Sequence, residues 1–158
     1  MASGGDTLFL SQVQAYNRLS PDFQRFLETL SAVHSGYEQA DDARAAGGHV
    51  RREPVSNTHP VVRVHPVTGE KAIFVNEQFT RYIVGFKKEE SDAILKFLYD
   101  HIAKSADIQV RVKWEKGTVV VWDNRVTTHS ALHDFDEKER RHAVRITPRA
   151  ERPIAVKH

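Results

Sequence analysis

VVVWDNRVTTHSALHDF, residues 119–135, is the stretch that decides which fold this chain can adopt. It opens with three valines and a tryptophan, a composition typical of a strand, and passes through Asp123 and Asn124 to His129. Arginines follow closely in ERRHAVRITPRAERP, residues 139–153. An imidazole held at a strand end, with arginines behind it, indicates half of a metal site beside an anion-binding pocket. For a lone histidine, a solvated surface position is the more common interpretation.

Two of these arginines, Arg141 and Arg145, belong to RHAVRIT, whose alternation of polar and apolar residues predicts a strand. On a strand, residues four apart face the same side, and Ala143 between them is small enough to leave room for an anion. Arginine binds carboxylates and sulfonates through paired hydrogen bonds. A solvated basic strand edge that opposes aggregation is an equally good interpretation of these residues alone.

The composition favours a single globular domain that spans residues 1–158. The net charge of +2 does not favour nucleic acid or a membrane surface as a partner. The chain has no cysteine, which excludes disulfides and thiolate catalysis and fits a reducing compartment. It has neither a secretory-signal pattern nor an apolar run of about 18 residues, so we expect a cytoplasmic protein without a membrane span.

Helical and strand patterns alternate along the chain and predict an α+β or mainly β domain. Apolar spacings of three and four predict helices within residues 11–19, 20–33 and 87–105, whereas short apolar runs predict strands at TLFL, 61–64, 72–75, DIQVRVKW and TVVVW. The polar stretch 39–57 predicts a mobile loop, and a loop of that length in a compact domain often binds substrate.

Four segments together resemble a known family: GGDTLF, HPVVRVHPVTGEKAIFVNEQFT, WDNRVTTHSALHDF and RRHAVRITPRAERP. They resemble the taurine dioxygenase (TauD/TfdA) family of iron(II)- and 2-oxoglutarate-dependent dioxygenases, which includes fungal sulfonate dioxygenases. The resemblance runs from about Gly4 to Pro153 in the family's order. It implies an incomplete double-stranded β-helix, a jelly-roll or cupin-like fold with flanking helices. It also implies an enzyme that uses O2 to hydroxylate a small acidic substrate, such as a sulfonate, with formation of succinate and CO2.

The resemblance also implies roles for individual residues. His129 matches the distal histidine that binds iron(II). Thr7 and Arg141 match the residues that hold 2-oxoglutarate. Arg145 matches the arginine that binds the acidic group of the substrate, and Phe79 matches a residue that lines the substrate pocket.

The family's other two iron ligands form a His-x-Asp pair upstream of GGDT, and this sequence does not contain the pair. Only six residues, MASGGD, precede Thr7, and none is a histidine. None of the nine histidines is followed two positions later by a carboxylate. We therefore interpret the chain as an N-terminally truncated dioxygenase with one of three iron ligands, and Asp123 and Asn124 as structural residues of a turn.

Three functions remain open from the sequence. The first is a dioxygenase whose N-terminal part is missing. The second is a non-catalytic remnant that binds a small anion, a second copy or a partner subunit, because exposed edges would favour association. The third is a nucleic-acid-binding module that uses the arginine-rich end, and it ranks far below the others because the overall charge is nearly balanced.

Overall fold

The computed structural model describes residues 4–50, 52–135 and 142–157 and has an α+β architecture. The elements in chain order are β1 Thr7–Ser11, α1 Gln12–Asn17, α2 Pro21–Glu28, β2 Ser31–Ser35, α3 Tyr37–Ala45, β3 Ser56–Pro60, β4 Val62–Val64, β5 Lys71–Ile73, β6 Thr80–Ile83, α4 Lys88–Lys104, a 3-10 helix Ala106–Ile108, β7 Gln109–Val112, β8 Thr127–Ala131 and β9 Ile154–Ala155. Among the described residues, no helix is long and apolar enough to cross a membrane.

The strands form three small antiparallel sheets, with the orders β7-β1-β8, β3-β2-β6 and β5-β4-β9. In the first sheet, β1 is central, and Thr7 lies opposite both Val112 of β7 and Ala131 of β8. The two outer strands of this sheet therefore lie about a hundred residues or more away from β1 in the sequence. The third sheet joins β9 near the chain end to β4.

The predicted helices α1, α2 and α4 are confirmed. In α4 the apolar face is buried, with Leu95, Leu98 and Ile102 in the core, and the Glu90 carboxylate accepts the Lys87 backbone N–H at 2.9 Å as an N-terminal cap. Helix α2 begins with a proline at its first position, as expected, although the preceding serine makes no side-chain capping bond.

The helix predicted over residues 20–33 ends early, at Glu28. Its last turn is closed by Thr29, whose hydroxyl donates to the Phe26 carbonyl at 2.7 Å. The following residues form β2, which hydrogen-bonds to β3 on one side and β6 on the other. Backbone hydrogen bonds to these two strands stabilise β2 as a strand, although its local apolar spacing is helical. The sequence patterns did not indicate either partner strand.

The predicted mobile loop at 39–57 is shorter than expected. Helix α3 extends to Ala45, and β3 begins at Ser56, so within this stretch only 46–50 and 52–55 of the described residues lack regular structure. Alanine favours helix, and Arg44 forms an ion pair with Asp41 at 2.7 Å on the helix surface. The mobility of the remaining loop stays a prediction.

The strands predicted at TVVVW and in the described part of RHAVRIT are absent. The described part of the chain offers these segments no neighbouring strand, and an extended segment needs one to satisfy its backbone groups. Their apolar side chains are exposed instead: Val119 and Val121 to 85% and 91%, and Val144 and Ile146 to 82% and 90%.

One hydrophobic core connects the helices to the sheets. Leu27 of α2, Val62 of β4, Ile83 of β6 and Leu98 of α4 are fully buried within it. Strand β1 contributes Leu10, and Leu8 packs against the same cluster. Because side chains alternate along a strand, the odd-numbered residues of β1 face away from this core.

Candidate functional site

His129 lies in β8, opposite Phe9 of β1. Its ring stacks on Phe9 with centroids 5.7 Å apart, and it meets the edge of Trp122 at 5.2 Å. Partial desolvation of the ring, followed by the positive charge of Arg145, lowers the pKa of His129 below its usual value. The lowered pKa favours the neutral imidazole, which is the form that binds a metal.

Thr7 lies on the same face of the sheet as His129. Thr7 and Phe9 are two residues apart on β1, and Phe9 is directly opposite His129. Thr7 and His129 are thus diagonal neighbours across the β1–β8 pair, a relation in which the residues are about 7–8 Å apart and their Cβ atoms somewhat closer. Thr7 is buried, and its hydroxyl accepts a hydrogen bond from Trp114 Nε1 at 2.9 Å. The structure therefore brings two of the predicted site residues together.

The turn before Thr7 requires glycine. Gly4 has a φ of 82°, and a Cβ on it would lie 2.1 Å from the backbone oxygen of Asp134. The Gly5 N–H donates to the Asp134 carboxylate at 2.7 Å, and Arg111 bridges Asp134 at 3.0 Å and Asp6 at 2.6 Å. These contacts attach the start of β1 to the segment that follows His129.

The turn before His129 is held by Asp123, as the sequence predicted. Its carboxylate accepts the Arg125 backbone N–H at 2.9 Å and the Arg125 guanidinium at 2.7 Å, and its carbonyl accepts the Thr127 hydroxyl at 2.7 Å. These hydrogen bonds hold the pKa of Asp123 well below its usual value, with Arg125 as the main cause. The side chain is therefore a permanent anion around which the chain turns into β8.

His65 contributes to the same turn. Its Nδ1 accepts the backbone N–H of Val67 and Thr68, at 3.3 and 3.0 Å, so the ring proton lies on Nε2. That Nε2–H donates to the Asp123 carboxylate at 3.1 Å. The sequence predicted no role for His65, which is the first residue of HPVTGE.

A second ion-pair group fixes the end of the chain. Arg63, which is 4% exposed in β4, pairs with Glu151, and Glu151 also lies 3.4 Å from Arg125. The segment before β9 is thereby connected to the Asp123 turn. Long-range ion pairs of this kind give no local sequence signal.

The other three predicted site residues lie at different positions relative to the sheet face that carries Thr7 and His129. Arg145 is exposed, outside any strand, and close enough to His129 for its charge to lower the pKa of that ring. Phe79 lies beside the second sheet, where its N–H donates to Asn76 at 2.9 Å and its carbonyl accepts from Ser35 at 2.8 Å. Arg141 lies outside the described residues.

The residues do not fit a complete iron site. Within 4–50, 52–135 and 142–157, no group of three histidine, cysteine, aspartate or glutamate side chains could hold a metal ion. The rings of Phe9 and Trp122 contact the predicted ligand His129, and the charge of Arg145 acts on it. A single imidazole does not provide the ligand number on which iron(II) affinity depends.

The described residues form an antiparallel α+β domain in which Thr7 and His129 share one sheet face and the charge of Arg145 acts on His129. The model of the taurine catabolism dioxygenase TauD, TfdA family matches residues 1–147. The chain belongs to this family, and the resemblance noted from the sequence is confirmed.

Individual relatives agree with this assignment. The chain is 51% identical over 151 residues to the alpha-ketoglutarate-dependent sulfonate dioxygenase of Saccharomyces cerevisiae, covering 96% of this chain and 37% of that protein. It is 50% identical over 157 residues to the alpha-ketoglutarate-dependent dioxygenase cnsP of Penicillium expansum, covering 98% and 42%. The crystal structure of a putative alpha-ketoglutarate-dependent taurine dioxygenase from Burkholderia xenovorans superposes with a TM-score of 0.73 at 35% identity, covering 85% of this chain and 44% of that one. The chain thus spans about two fifths of the length of these curated relatives.

Proposed function

We propose that this chain carries the 2-oxoglutarate-binding part of an iron(II)- and 2-oxoglutarate-dependent dioxygenase, in a domain of the double-stranded β-helix type. The observation that carries the proposal is the placement of Thr7 and His129 on one face of β1 and β8. The complete enzyme would hydroxylate a small acidic substrate, of which a sulfonate is the favoured class, while 2-oxoglutarate and O2 yield succinate and CO2. A sulfonate dioxygenase among the relatives supports this substrate class.

The chain's own residues would bind the two organic anions. The Thr7 hydroxyl and the Arg141 guanidinium would hold the distal carboxylate of 2-oxoglutarate, since arginine and a hydroxyl donor suit a carboxylate. Arg145 would bind the acidic group of the substrate, and its charge near His129 supports that position. Phe79 as a residue of the substrate pocket stays a prediction.

Iron(II), once bound by a full ligand set, would supply the activation of O2. His129 would provide one ligand, and its neutral ring suits that role. The described residues do not supply a group of three such ligands, so this proposal leaves the other two ligands unassigned. A cytoplasmic location and the lack of a nucleic-acid partner likewise stay predictions.

Calorimetric titration with 2-oxoglutarate tests the anion-binding role. We expect the wild-type chain to bind, and Thr7→Val and Arg141→Ala to weaken the affinity by about tenfold or more, because each removes a donor to the carboxylate. Arg149→Ala, an exposed arginine of the same segment, is the matched control and should bind like wild type. Equal binding by wild type and Arg141→Ala would contradict the assignment of Arg141.

A second candidate function is a non-catalytic chain that binds a small anion or a partner subunit. The lack of a three-ligand metal cluster in the described part of the chain favours it. The intact mass of the native protein in its source cells separates the two. A mass well above 18.0 kDa supports a complete dioxygenase, whereas a mass of 18.0 kDa supports the non-catalytic chain.

A further inference from the structure

The side chain of Trp114 forms a hydrogen bond with the side chain of Thr7. Trp114 lies just after β7 and is separated from Thr7 by 107 positions, yet its indole Nε1 is 2.9 Å from the Thr7 hydroxyl oxygen. The indole is half-buried and Thr7 is buried, so little water competes for this hydrogen bond. Val112, two residues before Trp114, lies opposite Thr7 in the sheet.

The direction of this hydrogen bond is not ambiguous. An indole N–H only donates, whereas a threonine hydroxyl has one hydrogen to donate and two lone pairs that accept. Trp114 therefore occupies an acceptor position on Thr7, and the hydroxyl hydrogen must point elsewhere. Among the residues that the structure describes, none accepts that hydrogen. The Thr7 hydroxyl thus keeps its hydrogen available for donation to a ligand.

The acidic groups around Thr7 are already paired with a cation. Arg111 donates to Asp6 at 2.6 Å and to Asp134 at 3.0 Å, which compensates the carboxylates on either side of the GGDT turn. An incoming carboxylate would therefore meet a hydroxyl donor whose acidic neighbours are ion-paired.

We propose that Trp114 is a positioning residue for 2-oxoglutarate, because its indole N–H orients the Thr7 hydroxyl as a donor to the distal carboxylate. The inference rests on the proposed function and extends it to a residue that neither motif nor charge pattern had indicated. A carboxylate accepts hydrogen bonds only, so fixing the hydroxyl as a donor removes the orientation that would repel the ligand. Trp114 acts through Thr7 and does not itself touch the ligand.

A double-mutant cycle tests the inference, using Trp114→Phe, Thr7→Val and the double variant with 2-oxoglutarate as titrant. Phenylalanine keeps an aromatic ring, although a smaller one, and removes the N–H donor. We expect Trp114→Phe to weaken binding about three- to tenfold and the double variant to bind no more weakly than Thr7→Val alone. Independent, additive losses, or an unchanged affinity of Trp114→Phe, would overturn the role of Trp114.

The contact itself has a separate readout in the NMR signals of the two indole N–H groups, since the chain has only two tryptophans. The Trp114 signal, assigned by its loss in Trp114→Phe, should exchange with solvent faster in Thr7→Val. The Trp122 signal is the internal control, because its N–H donates to Asn124 at 3.3 Å instead. A Trp114 signal that does not respond to Thr7→Val overturns the inference alone. A wild-type chain that does not bind 2-oxoglutarate overturns the proposed function and this role with it, even where the Trp114 signal responds.

Discussion

His34 has the most strongly perturbed environment among the histidines that the structure describes. It is buried in β2, its ring stacks on Phe74 with centroids 5.2 Å apart, and it meets the edge of His59 at 5.3 Å. In the described part of the molecule its Nε2 has no hydrogen-bond partner. Burial, and then the charges of His59 and Arg81, lower the pKa of His34 to about 4. The native state therefore disfavours the protonated ring above pH 4.

This environment predicts that acid destabilises the protein through His34. Above pH 6.5 the ring is neutral in both the native and unfolded states, and between pH 6.5 and about 4 only the unfolded state takes up the proton. Stability is therefore lost as pH falls through this window, by up to about 3 kcal/mol. Urea unfolding at several pH values should show a shallower pH dependence for His34→Phe than for wild type.

His49→Gln is the matched control for that measurement, because His49 is exposed. It should keep the wild-type pH dependence. The slope, rather than the absolute stability, is compared, since His34→Phe also changes packing against Phe74. If the slope for His34→Phe is as steep as that for wild type, His34 is not the source of the pH dependence of stability.

Among the secondary-structure elements, α4 contacts β6 through a buried side chain as well as through Tyr99. The Ser91 hydroxyl, 1% exposed, accepts the Ile83 backbone N–H at 2.9 Å. Ile83 lies at the end of β6, where this N–H would otherwise be buried without an acceptor. The helix thus satisfies a backbone group that the sheet leaves open.

We expect Ser91→Ala to lower the free energy of unfolding by about 1–3 kcal/mol, because it leaves a buried donor unpaired. Ser20→Ala is the control, because Ser20 is exposed and makes no side-chain capping bond. That change should stay within about 0.5 kcal/mol of wild type in urea unfolding. If both variants unfold alike, the Ser91 contact contributes nothing to stability.

At the scale of the whole molecule, apolar side chains remain exposed on two extended segments. Val119 and Val121 lie in the first, and Val144 and Ile146 in the second. Neither segment belongs to a sheet in the part of the chain that the structure describes. Unpaired backbone beside exposed valine and isoleucine favours association with another strand.

We therefore expect the isolated chain to self-associate in a concentration-dependent manner, as measured by sedimentation velocity. Replacing Val119 and Val121 together with lysine should shift the distribution toward monomer, because charge on an open strand edge opposes pairing. Val67→Lys controls for added charge, since Val67 is 82% exposed in a turn rather than in an extended segment. An equal shift for both variants would show that charge alone accounts for the effect.

An element could be predicted from the sequence when the interactions that stabilise it lie within its own segment. Helix α4 was predictable because its apolar period and its Glu90 cap lie within one segment. Strand β2 was not, because its helical period conceals two ladders with β3 and β6 that only the folded chain contains. TVVVW has strong strand character but no strand partner among the described residues, so it remains outside the sheets.

The family and the residue types proposed for the site could be read from the sequence, because residue types and motif order are local information. His129, Thr7 and Arg145 were all named from it. Only the tertiary structure decided that Thr7 and His129 share a face and that Trp114 reaches Thr7. Those relations depend on the register between β1 and strands about a hundred residues or more later. Register is set by pairing and core packing across the whole chain, and no short segment encodes it.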